Sequence, residues 1–176
     1  MRLPLRPALL ALCLFTAARS ASAQSHQKFS LQGSGAALFA TNKDPDFESK
    51  TRLGYEVQAR YTFSRFSVGA GYQRSTVFSS PALSLALSLG FIEPRYVIAA
   101  GSGVALYLAG RVGVGKLVCS EECQARDTNL SYGGGGGLLF KLSQRLSADL
   151  GGQFFQVNGD LSSGYAMIRA GLGIGL

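Results

Sequence analysis

The chain has 176 residues, a formal net charge of +7, 23 glycines, 5 prolines and no tryptophan. A length of roughly 100–200 residues points to one domain. The glycines have no period of three, which excludes collagen, and 47% hydrophobic content excludes a disordered chain.

Residues 1–23 read as a signal peptide: Arg2 and Arg6, the apolar run Ala8–Phe15, then Ala21-Ser22-Ala23 before Gln24. Leu12 stands where a lipoprotein signal needs a small residue before Cys13, so Cys13 reads as part of the leader. Arg2, Arg6 and Arg19 leave with it, so residues 24–176 carry 14 basic against 10 acidic side chains. The basic ones are scattered, which gives no support to a nucleic-acid partner. No later apolar run reaches the roughly 18 residues of a membrane helix.

Strands follow. Phe29–Ala40 is the first, and loop 41–50 comes after it; its Asp44, Asp46 and Glu48 lack the twelve-residue calcium pattern. Arg52–Phe63 alternates best, with Leu53, Tyr55, Val57, Ala59 and Tyr61 on one face and Glu56, Gln58 and Arg60 on the other. Phe63-Ser64 is a tight turn into Arg65–Phe78, and residues 74–82 form a longer polar loop. In Leu83–Ala99, Leu83, Leu85, Leu87, Leu89 and Phe91 share one phase and Ile92, Pro94, Tyr96 and Ile98 the other. Such a slip between Phe91 and Ile92 implies a bulge, where Pro94 is tolerated. Gly101-Ser102-Gly103 turns into Val104–Cys119. Loop 119–128 carries Cys119 and Cys123, a spacing that reads as a local disulfide in an oxidising compartment. Thr128–Ser143 contains Gly133–Gly137 and reads as a strand because Leu130, Tyr132, Leu138 and Phe140 keep one phase around the glycines. Ser143-Gln144 turns into Arg145–Val157. Loop 158–163 precedes the last strand, from Tyr165 to Leu176.

Eight strands of about 12 residues exceed the usual length in soluble sheets and suit tilted membrane crossings. Short turns alternate with longer loops, the rhythm of an up-and-down barrel. One face is aliphatic and aromatic; the other carries Glu56, Gln58, Arg60, Gln73, Glu93, Arg95, Arg111, Asp149, Gln153 and Arg169. A soluble sandwich or lipocalin-like barrel turns its apolar face inward; a membrane barrel inverts this. Long strands and glycine-rich polar faces favour an all-β, eight-stranded antiparallel up-and-down transmembrane β-barrel.

Its interior is then a polar network of Glu56, Arg60, Glu93, Arg111, Asp149 and Arg169. Pairing Thr62 with Arg65 sets Arg60, Gln58 and Glu56 opposite Ser67, Gly69 and Gly71. Pairing Ala100 with Val104 sets Glu93 opposite Arg111.

Phe91-Ile92-Glu93-Pro94-Arg95-Tyr96, Leu106-Tyr107-Leu108-Ala109-Gly110-Arg111 and Ile168-Arg169-Ala170-Gly171-Leu172-Gly173 resemble stretches of the outer-membrane-protein β-barrel domain. The resemblance, to the small OmpA/OmpX-like eight-stranded group, covers residues 24–176. It implies an exported protein of the bacterial outer membrane, in contact with outer-membrane lipid, lipopolysaccharide and the barrel-assembly machinery. Loops 41–50, 74–82, 119–128 and 158–163 are then the places for a surface ligand. Leu176 stands where such chains commonly carry a terminal aromatic residue.

Four functions fit such a chain. The first is a non-enzymatic envelope or surface-interaction protein with a side-chain-filled lumen. The second is a narrow pore for small solutes, which interior charges would obstruct. The third is a lipid-modifying enzyme, which needs a nucleophile beside a base; His26, the one histidine, precedes the first strand. The fourth is a soluble ligand-binding barrel. No catalytic, metal or cofactor site is expected.

Overall fold

The structure is a computed structural model that describes residues 28–41, 51–79, 84–119, 128–158 and 163–176. The leader and most of the four long loops fall outside the described residues. Eight strands occur in chain order: β1 (Phe29–Ala40), β2 (Arg52–Phe63), β3 (Phe66–Ser79), β4 (Ser84–Ala100), β5 (Val104–Cys119), β6 (Asn129–Lys141), β7 (Leu146–Val157) and β8 (Ser163–Gly175). Each pairs antiparallel with the next, and β8 pairs with β1, so the barrel is closed. Closure satisfies every strand edge, which a sheet in hydrocarbon requires.

The stagger around the barrel follows from the pairing. Leu31 lies beside Ala59, then Ala70, Ile92, Val112, Tyr132, Gln156 and Gly164 in turn. The Gly164 carbonyl accepts a hydrogen bond from the Thr41 amide at 2.9 Å. One circuit that starts at Leu31 therefore returns to β1 at Thr41, ten residues further on. With a rise of about 3.3 Å per residue and strands about 4.8 Å apart, that stagger tilts the strands by about 40°. Eight strands at this tilt leave a lumen just wide enough for side chains.

The outer surface is apolar and banded. Leu53, Tyr55, Val57 and Tyr61 on β2 are exposed, as are Ile92, Leu108, Val112, Ile168 and Leu172 around the wall. Tyr61, Phe63, Phe66, Phe29 and Tyr96 gather near the short turns, with the Phe63 and Phe66 rings 5.0 Å apart. Tyr55, Tyr72, Tyr132 and Phe154 ring the loop end. From Tyr55 to Phe63 the axial rise is about 20 Å, close to the height of the apolar band of outer-membrane barrels between its aromatic girdles.

Several sequence expectations need correction. The β2–β3 turn is Ser64-Arg65, because Phe63 pairs with Phe66. Ser64 adopts φ 57°, rare for a residue with a side chain. Arg60, Gln58 and Glu56 consequently oppose Gly69, Gly71 and Gln73, two residues along from the expected partners. The shift is even, so every side chain keeps its face.

The expected bulge at Phe91/Ile92 is absent: both neighbours of β4 pair through these residues without a break. The register shifts lie between Thr76 and Phe78 on β3 and between Val97 and Ala99 on β4. The second shift lets Ala100 pair with Ala105 while Ile92–Val112 and Arg95–Ala109 still frame Glu93 and Arg111 at one level. Loop 74–82 is shorter than expected, because β3 continues to Ser79.

Candidate functional site

The strand pleat sends alternate side chains into the lumen, where they form three layers. At the loop end, Leu38, Leu87, Leu89, Phe91, Phe155, Tyr165 and Met167 form one apolar cluster. At the short-turn end, Val97, Ala105, Tyr107 and Ala109 form a second, with Leu139 packed against it. All the buried charges among the described residues lie between: Glu56, Arg60, Glu93, Arg95, Arg111, Asp149 and Arg169. The inward placement of Leu87, Leu89 and Phe91 corrects the expectation that the leucine phase of β4 faces out. Ala86, Ser88 and Gly90 are too small to fill the lumen, so the larger set takes the inside.

Glu93 is the hub. Its side chain is 0% exposed and lies within ion-pair distance of four arginines. Oε1 accepts from Arg60 Nη2 at 2.9 Å, Arg95 Nε at 2.8 Å and Arg169 Nη2 at 2.9 Å. Oε2 accepts from Arg111 Nη2 at 2.6 Å, Arg169 Nη1 at 2.9 Å and Gln153 Nε2 at 2.7 Å.

Glu56 holds Arg111 Nη2 at 2.7 Å and Arg169 Nη1 at 2.8 Å. Asp149 holds Arg95 Nη1 at 2.7 Å, and the Tyr107 hydroxyl donates to it at 3.2 Å. Two cation–π contacts tie the charged layer to the apolar ones: Arg111 sits 3.8 Å from the Phe91 ring centroid and Arg95 4.4 Å from that of Tyr107. Burial of this many charges is tolerable only because they are paired and hydrogen-bonded.

The six network residues expected from sequence all lie in this layer. Arg95, Gln73, Gln153 and Tyr107 belong to it too. Arg95 bridges Glu93 to Asp149, and Gln73 Oε1 accepts from Arg111 Nη1 at 2.8 Å. Their inward phase was readable; their convergence was not, since the partners sit on strands across the lumen.

Glycines make room for the long side chains. A Cβ at Gly69 would sit 2.6 Å from Gln58 Oε1 and 2.7 Å from Arg60 Nη2. On β6, Gly135 and Gly137 face inward; a Cβ there would meet Gln153 Cγ at 2.8 Å or the Tyr107 hydroxyl at 2.6 Å. The glycine run is thus a strand thinned to hold the layer.

Cys119 ends β5, while Cys123 and the bodies of the four loops lie outside the described residues. Among the described residues, no three of His, Cys, Asp and Glu group as a metal site.

No protein-family model and no curated protein matches the sequence. Solved structures do. Neisserial surface protein A (NspA) superposes with a TM-score of 0.74 at 16% identity, over 85% of this chain and 97% of that one. Ail, the attachment invasion locus protein of Yersinia pestis, superposes at 0.58 with 17% identity, over 84% and 97%. The N-terminal β-barrel domain of Pseudomonas aeruginosa OprF gives 0.52 with 12% identity, over 84% and 98%. The fold is therefore that of the small eight-stranded transmembrane barrels of bacterial outer membranes.

Proposed function

We propose that the chain spans a bacterial outer membrane as a sealed barrel and acts through its outside and its long loops, in an envelope or surface-interaction role, not as a catalyst or open pore. The observation that supports this reading is the lumen: a layer of paired, buried charges lies between two apolar layers, and the described residues hold no uncommitted nucleophile–base pair. The banded apolar exterior supports the membrane, because a soluble barrel would present the opposite faces.

Lipopolysaccharide is the proposed lipid partner at the loop end. Arg74, Ser88 and Lys116 lie side by side across β3, β4 and β5. Arg74 and Lys116 are exposed, one step beyond Tyr72 and Val114 of the apolar band. Two cations at that edge suit lipid phosphates. A surface ligand would meet loops 41–50, 74–82, 119–128 and 158–163; one similar protein, Ail, has been solved in complex with the heparin analogue sucrose octasulfate. The leader 1–23 would direct export and the alternating β8 would engage the assembly machinery.

Cell fractionation with heat-modifiability on a gel tests the reading. The expected result is an outer-membrane protein that begins at Gln24 and changes mobility on boiling. A soluble periplasmic product with one mobility would overturn it.

A further inference from the structure

The buried lumen layer is not electrically balanced. Among the described residues it contains the four arginines Arg60, Arg95, Arg111 and Arg169 against the three carboxylates Glu56, Glu93 and Asp149. Arg95 and Arg111 each pair with two carboxylates and Arg169 with three, so the excess falls on Arg60, on the short-turn side. Arg60 has one carboxylate partner, Glu93, which it shares with three other arginines.

At that end the lumen holds a cavity of about 50 Å³, partly open to solvent, lined by Arg60 and Arg95 together with Ser30, Thr62, Ser67 and Val97. Arg60 is 6% exposed and Arg95 5%. On these two lining side chains, Arg60 Nε and Arg95 Nη2 are buried without a hydrogen-bond partner. Two orphaned guanidinium donors beside a cavity, in a layer with one surplus positive charge, define an acceptor-poor site.

We propose that this cavity binds one small monovalent anion of the chloride class. The anion would accept from Arg60 Nε and Arg95 Nη2, with serine and threonine hydroxyls as further donors. Its single charge balances the layer, and its lack of directional demands suits two donors from different strands. Charge sets the class: one surplus positive charge calls for one monovalent anion. A cavity of about 50 Å³ has room for a halide ion, since a single water needs only about 10–15 Å³ on the same measure. Ser67 Oγ already accepts from Arg60 Nη1 at 3.1 Å, which leaves its own hydrogen to donate.

The test is ³⁵Cl NMR on the whole mature protein folded in non-ionic detergent. The wild type is expected to broaden the chloride line saturably. Bromide should compete the effect away, and gluconate at equal ionic strength should not. Arg95→Gln removes the surplus charge and one orphaned donor. Val97→Phe fills the cavity while it leaves every charge in place. Each variant is expected to lose the saturable broadening while it keeps the heat-dependent gel shift of a folded barrel. If Arg95→Gln does not fold, Val97→Phe decides. Absence of saturable broadening in the wild type would overturn the proposal, as would broadening unchanged in folded Val97→Phe, which assigns chloride to exposed basic residues.

Discussion

Replacement of Glu93 by alanine isolates the energetics of the lumen. The four arginines around Glu93 do not suffer equally. Arg111 keeps Glu56 at 2.7 Å and Gln73 at 2.8 Å, Arg169 keeps Glu56 at 2.8 Å, and Arg95 keeps Asp149 at 2.7 Å. Arg60 retains only neutral acceptors, among them Gln58 Oε1 at 2.7 Å and Ser67 Oγ at 3.1 Å.

The change therefore strands about one buried charge, not four, and raises the surplus positive charge of the layer from one to two. Breaking one buried pair costs about 3–5 kcal/mol. With a urea slope of about 2 kcal/mol per molar, the unfolding midpoint should fall by about 1.5–2.5 M. Arg60→Gln is the informative control, because it balances the layer. It should cost clearly less than Glu93→Ala, although both remove a partner from the same ion pair.

With no tryptophan in the chain, unfolding is best followed by circular dichroism and gel mobility. Equal losses for the two variants, or a Glu93→Ala midpoint indistinguishable from wild type, would refute the charge-balance reasoning. The Arg111→Ala/Glu93→Ala cycle should show a coupling of about 0.5–3 kcal/mol, since the two groups touch.

Other outcomes follow from the same structure. Val57→Arg places a charge on the outer apolar band, where Val57 is 50% exposed, and should cost about 2–4 kcal/mol in lipid; equal folding yields in bilayers would place that face elsewhere than in hydrocarbon. Gly135→Val should abolish the folded gel band, since its Cβ would overlap Gln153 and the β7 backbone; a normal band would mean that β6 is not held so close. Free-thiol labelling of the oxidised mature protein should detect neither Cys119 nor Cys123, and two reactive thiols would dismiss the proposed loop disulfide.

Much of the fold was legible because alternation survives at nearly every position of β2 and β8, and membrane crossing demands long strands. The leucines of β4 were harder. Leu87, Leu89 and Phe91 alternate with Ala86, Ser88 and Gly90, and alternation separates two faces without saying which is inside. Near the loop end the lumen has to be filled, and this outweighs the lipid-facing preference. The β2–β3 register turned on Ser64, whose left-handed backbone has no glycine to announce it. The Glu93–Arg111 contact was readable from a hairpin. The convergence of Arg60, Arg95 and Arg169 on the same carboxylate was not, because it depends on a ten-residue stagger that only the closed barrel defines.

The proposed sealing of the lumen is tested most directly by conductance of the purified, heat-modifiable protein across a planar bilayer. Leu38, Leu87 and Phe155 at one end, Tyr107 at the other and the arginine–carboxylate layer between them require a silent bilayer in the resting state. Steady ohmic current from the folded wild type, absent with boiled protein, would contradict the sealed lumen and make the barrel a pore.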